Sequence, residues 1–230
     1  MQQFLDILKQ YWGYGAFREL QGDIIQSIAS GKDTLGLMPT GGGKSLTFQV
    51  PTLAMDGVCL VVTPLIALMK DQVENLKKRN IAAAAIYTGM SQKDILQTLD
   101  NCVFEAYKFL YVSPERLGTF IFLEKIKLTK VCMIAVDESH CISQWGYDFR
   151  PSYLKIAEIR RVLPDVPVLA LTATATPEVV EDIQEKLLFR EKHVLRKSFY
   201  RKNLAYVVRT TESKEEQLLH ILRKVSGTSV

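Results

Sequence analysis

Apolar residues in this chain fall into short unbroken runs, separated by longer stretches in which they recur every three or four positions. The runs cover residues 34–38, 58–62, 82–87, 108–112, 131–136, 167–171 and 193–197. Several are apolar at consecutive rather than alternate positions, which predicts strands buried on both faces. Between them Leu65, Met69, Val73 and Leu76 make one helical stripe. Ile95, Leu99 and Val103 make a second, and Val179, Ile183 and Leu187 a third. Thr176 ahead of Pro177 predicts a helix start with proline in its first turn. Ser213 with Glu216 three residues on predicts a capping box. Such alternation implies an α/β fold: a parallel sheet of about seven strands with helices on both faces, and ligands at the carboxyl ends of the strands.

The pattern changes after residue 197. Residues 198–203 are polar and basic, 204–209 read as a new strand, and 214–225 as a helix. The expected organisation is a domain over 1–200, opened by N-terminal helices within 1–30. A linker and the truncated start of a second domain follow over 201–230. No internal repeat or low-complexity tract appears. At 230 residues the chain is long enough to bury a substantial core. Charged residues are 23% and hydrophobic ones 47%, which excludes a disordered chain, and the net charge of +4 permits a polyanionic partner without requiring one. Cys59, Cys102, Cys132 and Cys141 are scattered without a Cys-x-x-Cys pair, so neither a zinc ribbon nor a redox motif is expected. Cys59 and Cys132 sit inside apolar runs and read as small buried hydrophobes. With no basic-then-apolar leader and no apolar run of membrane-spanning length, the expectation is a soluble cytoplasmic protein without a membrane partner.

Candidate chemistry concentrates at two strand ends. Met38-Pro39-Thr40-Gly41-Gly42-Gly43-Lys44-Ser45 follows the first apolar run and precedes an amphipathic stretch. Glycines let backbone N–H groups approach phosphate oxygens, Lys44 adds a positive charge, and the following helix presents its positive end. The Ser45 hydroxyl suits Mg²⁺, while Thr40 and the glycines line the cradle. Met38 stands where the generic pattern has its first glycine. The second site is Asp137-Glu138-Ser139-His140, at the end of the run 131–136. Adjacent acids are common as a solvated surface pair. After six apolar residues, in a chain with the lysine loop, Asp137 reads as the metal-holding carboxylate and Glu138 as the base that activates water. A lone histidine is more often a satisfied structural residue, but His140, beside that base, also reads as a transmitter of nucleotide state, whereas His193 and His220 read as structural or surface residues.

With both sites placed, the chain resembles the first RecA-like domain of RecQ-family DNA helicases, in the DEAD/DEAH-type superfamily. Tyr14-Gly15-Ala16-Phe17-Arg18-Glu19-Leu20-Gln21 resembles the family's adenine-recognition motif. Val62-Thr63-Pro64-Leu65-Ile66-Ala67-Leu68-Met69-Lys70-Asp71-Gln72 and Ser113-Pro114-Glu115-Arg116-Leu117 resemble its DNA-side motifs. Leu171-Thr172-Ala173-Thr174-Ala175-Thr176 resembles the motif coupling ATP to DNA, and Met38 is the family's common residue at its place. The most diagnostic stretch is Ile142-Ser143-Gln144-Trp145-Gly146-Tyr147-Asp148-Phe149-Arg150-Pro151, three aromatics and an arginine on a loop with a glycine hinge. Two positions depart from the family: histidine is commoner at Tyr147, and alanine at Ser139.

The resemblance implies a RecA-like phosphate-loop domain that binds ATP and Mg²⁺, without zinc in this stretch. Tyr14 would stack on adenine, Gln21 would offer an amide to its edge, and Arg18 would sit against base or phosphate; an aromatic and polar helix face is the plainer reading of the same residues. Thr63, Pro64, Ser113 and Arg116 would grip DNA phosphates, although Thr-Pro and Ser-Pro steps are also ordinary helix starts. Trp145, Tyr147, Phe149 and Arg150 would sense single-stranded DNA by stacking, at about 1–3 kcal/mol per base, and Thr172 and Thr174 would couple that to ATP. The implied activity is 3′-to-5′ unwinding in recombination and repair, on single strands and duplex junctions. A second RecA-like lobe would be the partner, and a bacterial chain would be nucleoid-associated. Alone, the chain is expected to bind ATP–Mg²⁺ yet hydrolyse it feebly. An ATP-responsive DNA-binding module without motor action stands as the alternative. A small-molecule kinase is disfavoured because no arginine-rich lid appears.

Overall fold

Each of the seven apolar runs contributes a strand to one parallel sheet, six of them largely buried and the last, at a sheet edge, only partly so. In the computed structural model, which describes residues 1–196, 205, 207–208 and 210–224, they are β1 (Thr34–Leu37), β2 (Val58–Val62), β3 (Ala83–Ile86), β4 (Phe109–Val112), β5 (Val131–Val136), β6 (Val168–Thr172) and β7 (Val194–Arg196). Their order across the sheet is β3-β4-β2-β5-β6-β1-β7. Every pairing is parallel, so every connection is a crossover, and helices α3 (Leu46–Ala54) to α8 (Pro177–Lys186) supply these in turn.

The strands' two faces build two cores. Val58, Leu60 and Val62 of β2 join Leu110 and Val112 of β4 on one side. There they meet Leu99 of α5 (Gln92–Val103), Phe122 and Ile126 of α6 (Phe120–Leu128), Ile159 of α7 (Ile156–Val162) and Ile183 of α8. Cys59, Val61, Phe109 and Tyr111 face the other side. Ile24 and Ile28 of α2 (Gln21–Ala29), Phe48 of α3, and Met69 and Val73 of α4 (Ile66–Lys77) cover them. Leu8 of α1 (Gln2–Trp12) packs on Ile25 and Val50 in a smaller cluster. The four cysteines are buried and unpaired with one another.

One predicted stripe is buried throughout and the other two lose an end, Val103 of α5 being only half-buried. Val179, Ile183 and Leu187 are buried; Leu99 is buried with Ile95 packed against the same core. Met69, Val73 and Leu76 are buried, but Leu65 is 50% exposed because it is the extended N-cap of α4 rather than part of its face. The Thr176 cap forms as predicted, its side chain accepting from the Val179 N–H.

Two buried polar groups fasten helices to the sheet. Asp33, just before β1, accepts from the Val168 N–H at 2.9 Å and from Arg160 Nη2 of α7 at 2.9 Å. Its Oδ2 also takes the Arg190 N–H at 2.8 Å, beyond α8. Gln49 of α3 donates to Gln72 of α4 at 3.1 Å and to the Tyr111 hydroxyl of β4 at 3.3 Å.

By contacts the chain divides into Met1–Lys197 and Ser198–Val230. The second unit contains α9 (Lys214–Lys224), whose Glu216 N–H reaches Ser213 Oγ at 3.4 Å, one half of the predicted box. The strand expected over 204–209 lies largely outside the described residues, as do residues 198–203 and 197. No helix among the described residues is long and apolar enough to cross a membrane.

Candidate nucleotide site and aromatic loop

The phosphate loop leaves β1 at Met38, whose N–H donates to the Thr172 carbonyl at the end of β6, 3.0 Å away. Gly41 and Gly43 both hold φ 75°, the left-handed region that a side chain disfavours. A Cβ on Gly42 would meet the Pro39 carbonyl at 2.8 Å, and one on Gly43 would run into the Gln21 amide. The loop is therefore a backbone cradle, and it feeds into α3, for which Ser45 is the N-cap. That places the positive end of α3 at the loop.

A loop threaded through left-handed glycines leaves its carbonyls without ladder partners. Arg18 Nη1 donates to the Gly41 carbonyl at 2.8 Å, and Gln21 Nε2 donates to the carbonyls of Gly42 and Gly43, both at 3.1 Å. Gln21 Oε1 takes the Arg18 N–H at 2.8 Å. Expected to meet a base, Gln21 is 2% exposed and has its amide occupied by the loop. Tyr14 is 54% exposed, beside Trp12, Ser45 and Gln49 in a surface cavity. Thr40 is exposed on the loop itself.

The acidic tip stands two strands from β1. Asp137 continues β5, its N–H on the Val62 carbonyl at 2.9 Å. Glu138 then adopts φ 48°, which turns the chain sharply into a short helical turn over Ser139–Ile142. Lys44 Nζ lies 3.3 Å from Glu138 Oε1, so phosphate loop and acidic tip meet directly. Asp137 Oδ1 takes the Glu138 N–H at 3.0 Å, and the Tyr153 hydroxyl donates to the Asp137 carbonyl at 3.0 Å. Burial first, and the charge of Glu138 second, push the Asp137 carboxyl above its ordinary range, while Lys44 pulls the other way. A cation there would relieve that cost. The backbone cradle, the lysine and this oxygen donor fit a magnesium-bound triphosphate.

His140 ties this tip to two further elements. Its Nδ1 is 2.8 Å from Thr172 Oγ1 and 3.4 Å from Glu138 Oε2. Its ring stacks on Tyr147, centroids 5.0 Å apart at 19°. Burial lowers its pKa, against the opposing pull of Glu138 and then Asp148, which favours the neutral ring. Thr172 in turn bonds the Thr174 N–H and carbonyl, and Thr174 is exposed.

On the loop beyond, Trp145 and Tyr147 are 77% and 81% exposed, large apolar faces turned to solvent. Phe149 is half-buried, with Lys186 Nζ 5.9 Å from its ring centre. Arg150 pairs with Asp148 at 3.0 Å, and its N–H holds the Cys141 carbonyl at 2.8 Å. Gly146, expected as a hinge, serves close approach instead: a Cβ there would meet the His140 carbonyl at 2.9 Å.

The residues of the DNA-side motifs lie at different depths. Thr63 and Ser113 are 2% and 1% exposed, and neither hydroxyl has a hydrogen-bond partner. Each continues its strand by one residue, its backbone N–H bonding to a neighbouring strand, Thr63 to Val112 and Ser113 to Ile86. Pro64 is half-buried. Arg116 reaches the Tyr87 carbonyl with Nε at 3.3 Å, and Lys70 Nζ lies 4.6 Å over the Tyr87 ring. Tyr87 and Tyr153 were not singled out from sequence; each acts through a partner remote in the chain, which no local spacing encodes.

The DEAD/DEAH box helicase pattern matches residues 18–183. Over 235 residues the chain is 41% identical to the probable ATP-dependent DNA helicase RecS of Bacillus subtilis, covering all of this chain and 47% of that protein. It is 40% identical to the ATP-dependent DNA helicase RecQ of Haemophilus influenzae, covering 98% of this chain and 36% of the relative. The chain thus spans less than half the length of these curated relatives. Among solved structures, a hypothetical ATP-dependent RNA helicase from Sulfolobus tokodaii superposes with TM-score 0.64 over 86% of this chain and 57% of that one, at 20% identity, a likeness of fold. By these matches the chain belongs to the DEAD/DEAH box helicases, with RecQ and RecS proteins among its relatives.

Proposed function

We propose that this chain is the ATP-binding lobe of a RecQ-type DNA helicase that moves 3′ to 5′ along one strand, and that a second RecA-like lobe completes its active site. The Lys44–Glu138 contact at 3.3 Å carries the reading, because it brings the two halves of a phosphate-transfer site together. Magnesium, when bound, would draw charge from the phosphates and orient them. Ser45 and Asp137 are the residues to hold it. Lys44 exchanges Glu138 for phosphate oxygens, which frees the Glu138 carboxylate to take a proton from the attacking water. His140 lies beside the second Glu138 oxygen, and its contacts with Thr172 and Tyr147 link that corner of the site to the elements proposed to face DNA.

Tyr14 would stack on the base, while Arg18 and Gln21 act through the loop they hold, a change from the adenine contact expected of Gln21. Arg116, Lys70, Trp145, Tyr147, Phe149, Arg150 and Thr174 would make the strand-binding track. Thr63, Pro64 and Ser113 would shape it from beneath.

Nucleotide binding with Mg²⁺, measured by calorimetry on the chain and on Lys44→Ala, tests the site. Wild type should bind and the variant should not, with unchanged circular dichroism. Equal binding by both would overturn the assignment. Stimulation of the two-lobe protein's ATPase by single-stranded DNA separates a motor from a binding module.

A further inference from the structure

We propose that His140, Cys141 and Asp148 form a site for a thiophilic divalent cation of the zinc class, which clamps the aromatic loop onto the acidic strand tip. One donor atom from each lies within 4.8 Å of the other two. His140 and Cys141 are 5% and 0% exposed on the turn after β5, whereas Asp148 is half-buried and belongs to the loop. The gap is already bridged, since Cys141 Sγ is 3.6 Å from Asp148 Oδ2. Zinc with nitrogen, sulfur and oxygen ligands at about 2.0–2.3 Å sets its donors roughly 3–4 Å apart, so closing the cluster takes only a small shift of the loop.

Charge and ligand type agree with that class of ion. A thiolate and a carboxylate neutralise a dication, with a neutral imidazole as third ligand and a fourth position open to water. The cation would displace Arg150, which pairs with Asp148 at 3.0 Å. On binding, a metal–sulfur bond forms and the Cys141 thiol proton leaves to solvent. Burial holds that thiol up to about 12, with the charge of Asp148 adding to it, so the uncomplexed protein keeps it protonated. Magnesium prefers oxygen donors and leaves such a site alone. The phosphate-loop site and this one therefore select different ions. Because the Tyr147 ring stacks on His140 beside Asp148, an ion here would hold that exposed ring in place. That consequence rests on the helicase reading above; the binding does not.

Cobalt(II) is the probe, titrated into the nucleotide-free chain. A thiolate-to-cobalt absorption band should rise to one equivalent and be bleached by Zn²⁺. It should vanish in Cys141→Ser and fall in Asp148→Asn, both checked for fold by circular dichroism. No thiolate band in the wild type, or the same band in Asp148→Asn, would overturn the proposal. So would a band retained by folded Cys141→Ser. Lys44→Ala, which disables the nucleotide site, should leave the band intact, so failure of one site is read separately from failure of the other.

Discussion

At the scale of single residues, Asp137 sets function against stability. Burial and Glu138 raise its folded pKa above the unfolded value of 3.8. A carboxyl raised in this way holds its proton more tightly in the folded state. Its cost is absent below the unfolded pKa, grows as pH rises through the folded one, and is fully present at neutral pH. Asp137→Asn keeps the shape and removes the charge. In calorimetric scans the nucleotide-free variant should melt above wild type at neutral pH, and the gain should vanish near about pH 3. Stabilisation by magnesium nucleotide should disappear with it. A lower melting temperature for the variant at neutral pH would mean that Lys44 already outweighs the burial. Trp145 makes the opposite case. Being 77% exposed, it supports little of the fold. Trp145→Ala should leave the melting temperature unchanged and weaken single-strand binding by about 1–3 kcal/mol in a fluorescence titration. A large drop in melting temperature would assign it to packing.

At the scale of elements, the sheet was legible because a strand buried on both faces must be apolar at successive positions, as Val58–Val62 and Val131–Val136 are. Phosphate loop and acidic tip were legible for a related reason: each follows such a run immediately. What local pattern could not encode was pairing across the chain. Leu65 fits the stripe of α4 yet lies just outside the helix, since periodicity does not mark where a helix begins. Gln21 and the phosphate loop are some twenty residues apart, and only the fold reveals that its amide is taken. Asp33 and Arg160, 127 positions apart, meet as a buried pair at 0% and 3% side-chain exposure. Arg160 has its pKa lowered by that burial. Asp33→Ala strands the guanidinium in the interior and should cost about 3–5 kcal/mol in urea unfolding. Replacing both with apolar residues of similar size should recover only part of it, because the Val168 and Arg190 N–H groups still lose their acceptor. A single variant as stable as wild type would show the pair to be incidental.

At the scale of the molecule, β1, β6, β5 and β2 lie side by side, so their carboxyl ends line up the phosphate loop, Thr172, Asp137 and Thr63 in that order. One edge of one sheet thereby holds the phosphate cradle, the proposed base and the link to the aromatic loop. Within the described part of Met1–Lys197 the only cation in hydrogen-bond reach of Glu138 is Lys44, which belongs to the cradle. Charge developing on the outer phosphate during transfer would need a further donor, and a second lobe closing over this edge could bring an arginine to it. Such a residue is worth about 10³–10⁵ in rate, or roughly 4–7 kcal/mol of barrier. The chain alone should therefore bind nucleotide with its cradle intact but turn over slowly, with little response to single-stranded DNA. Joined to the proposed second lobe it should gain a rate increase of about that size. Steady-state ATPase assays on both forms, with nucleotide affinity measured in parallel, decide it. Equal affinities with unequal rates place the missing group in the transition state, whereas brisk DNA-stimulated hydrolysis by these 230 residues alone would mean that the edge is catalytically complete.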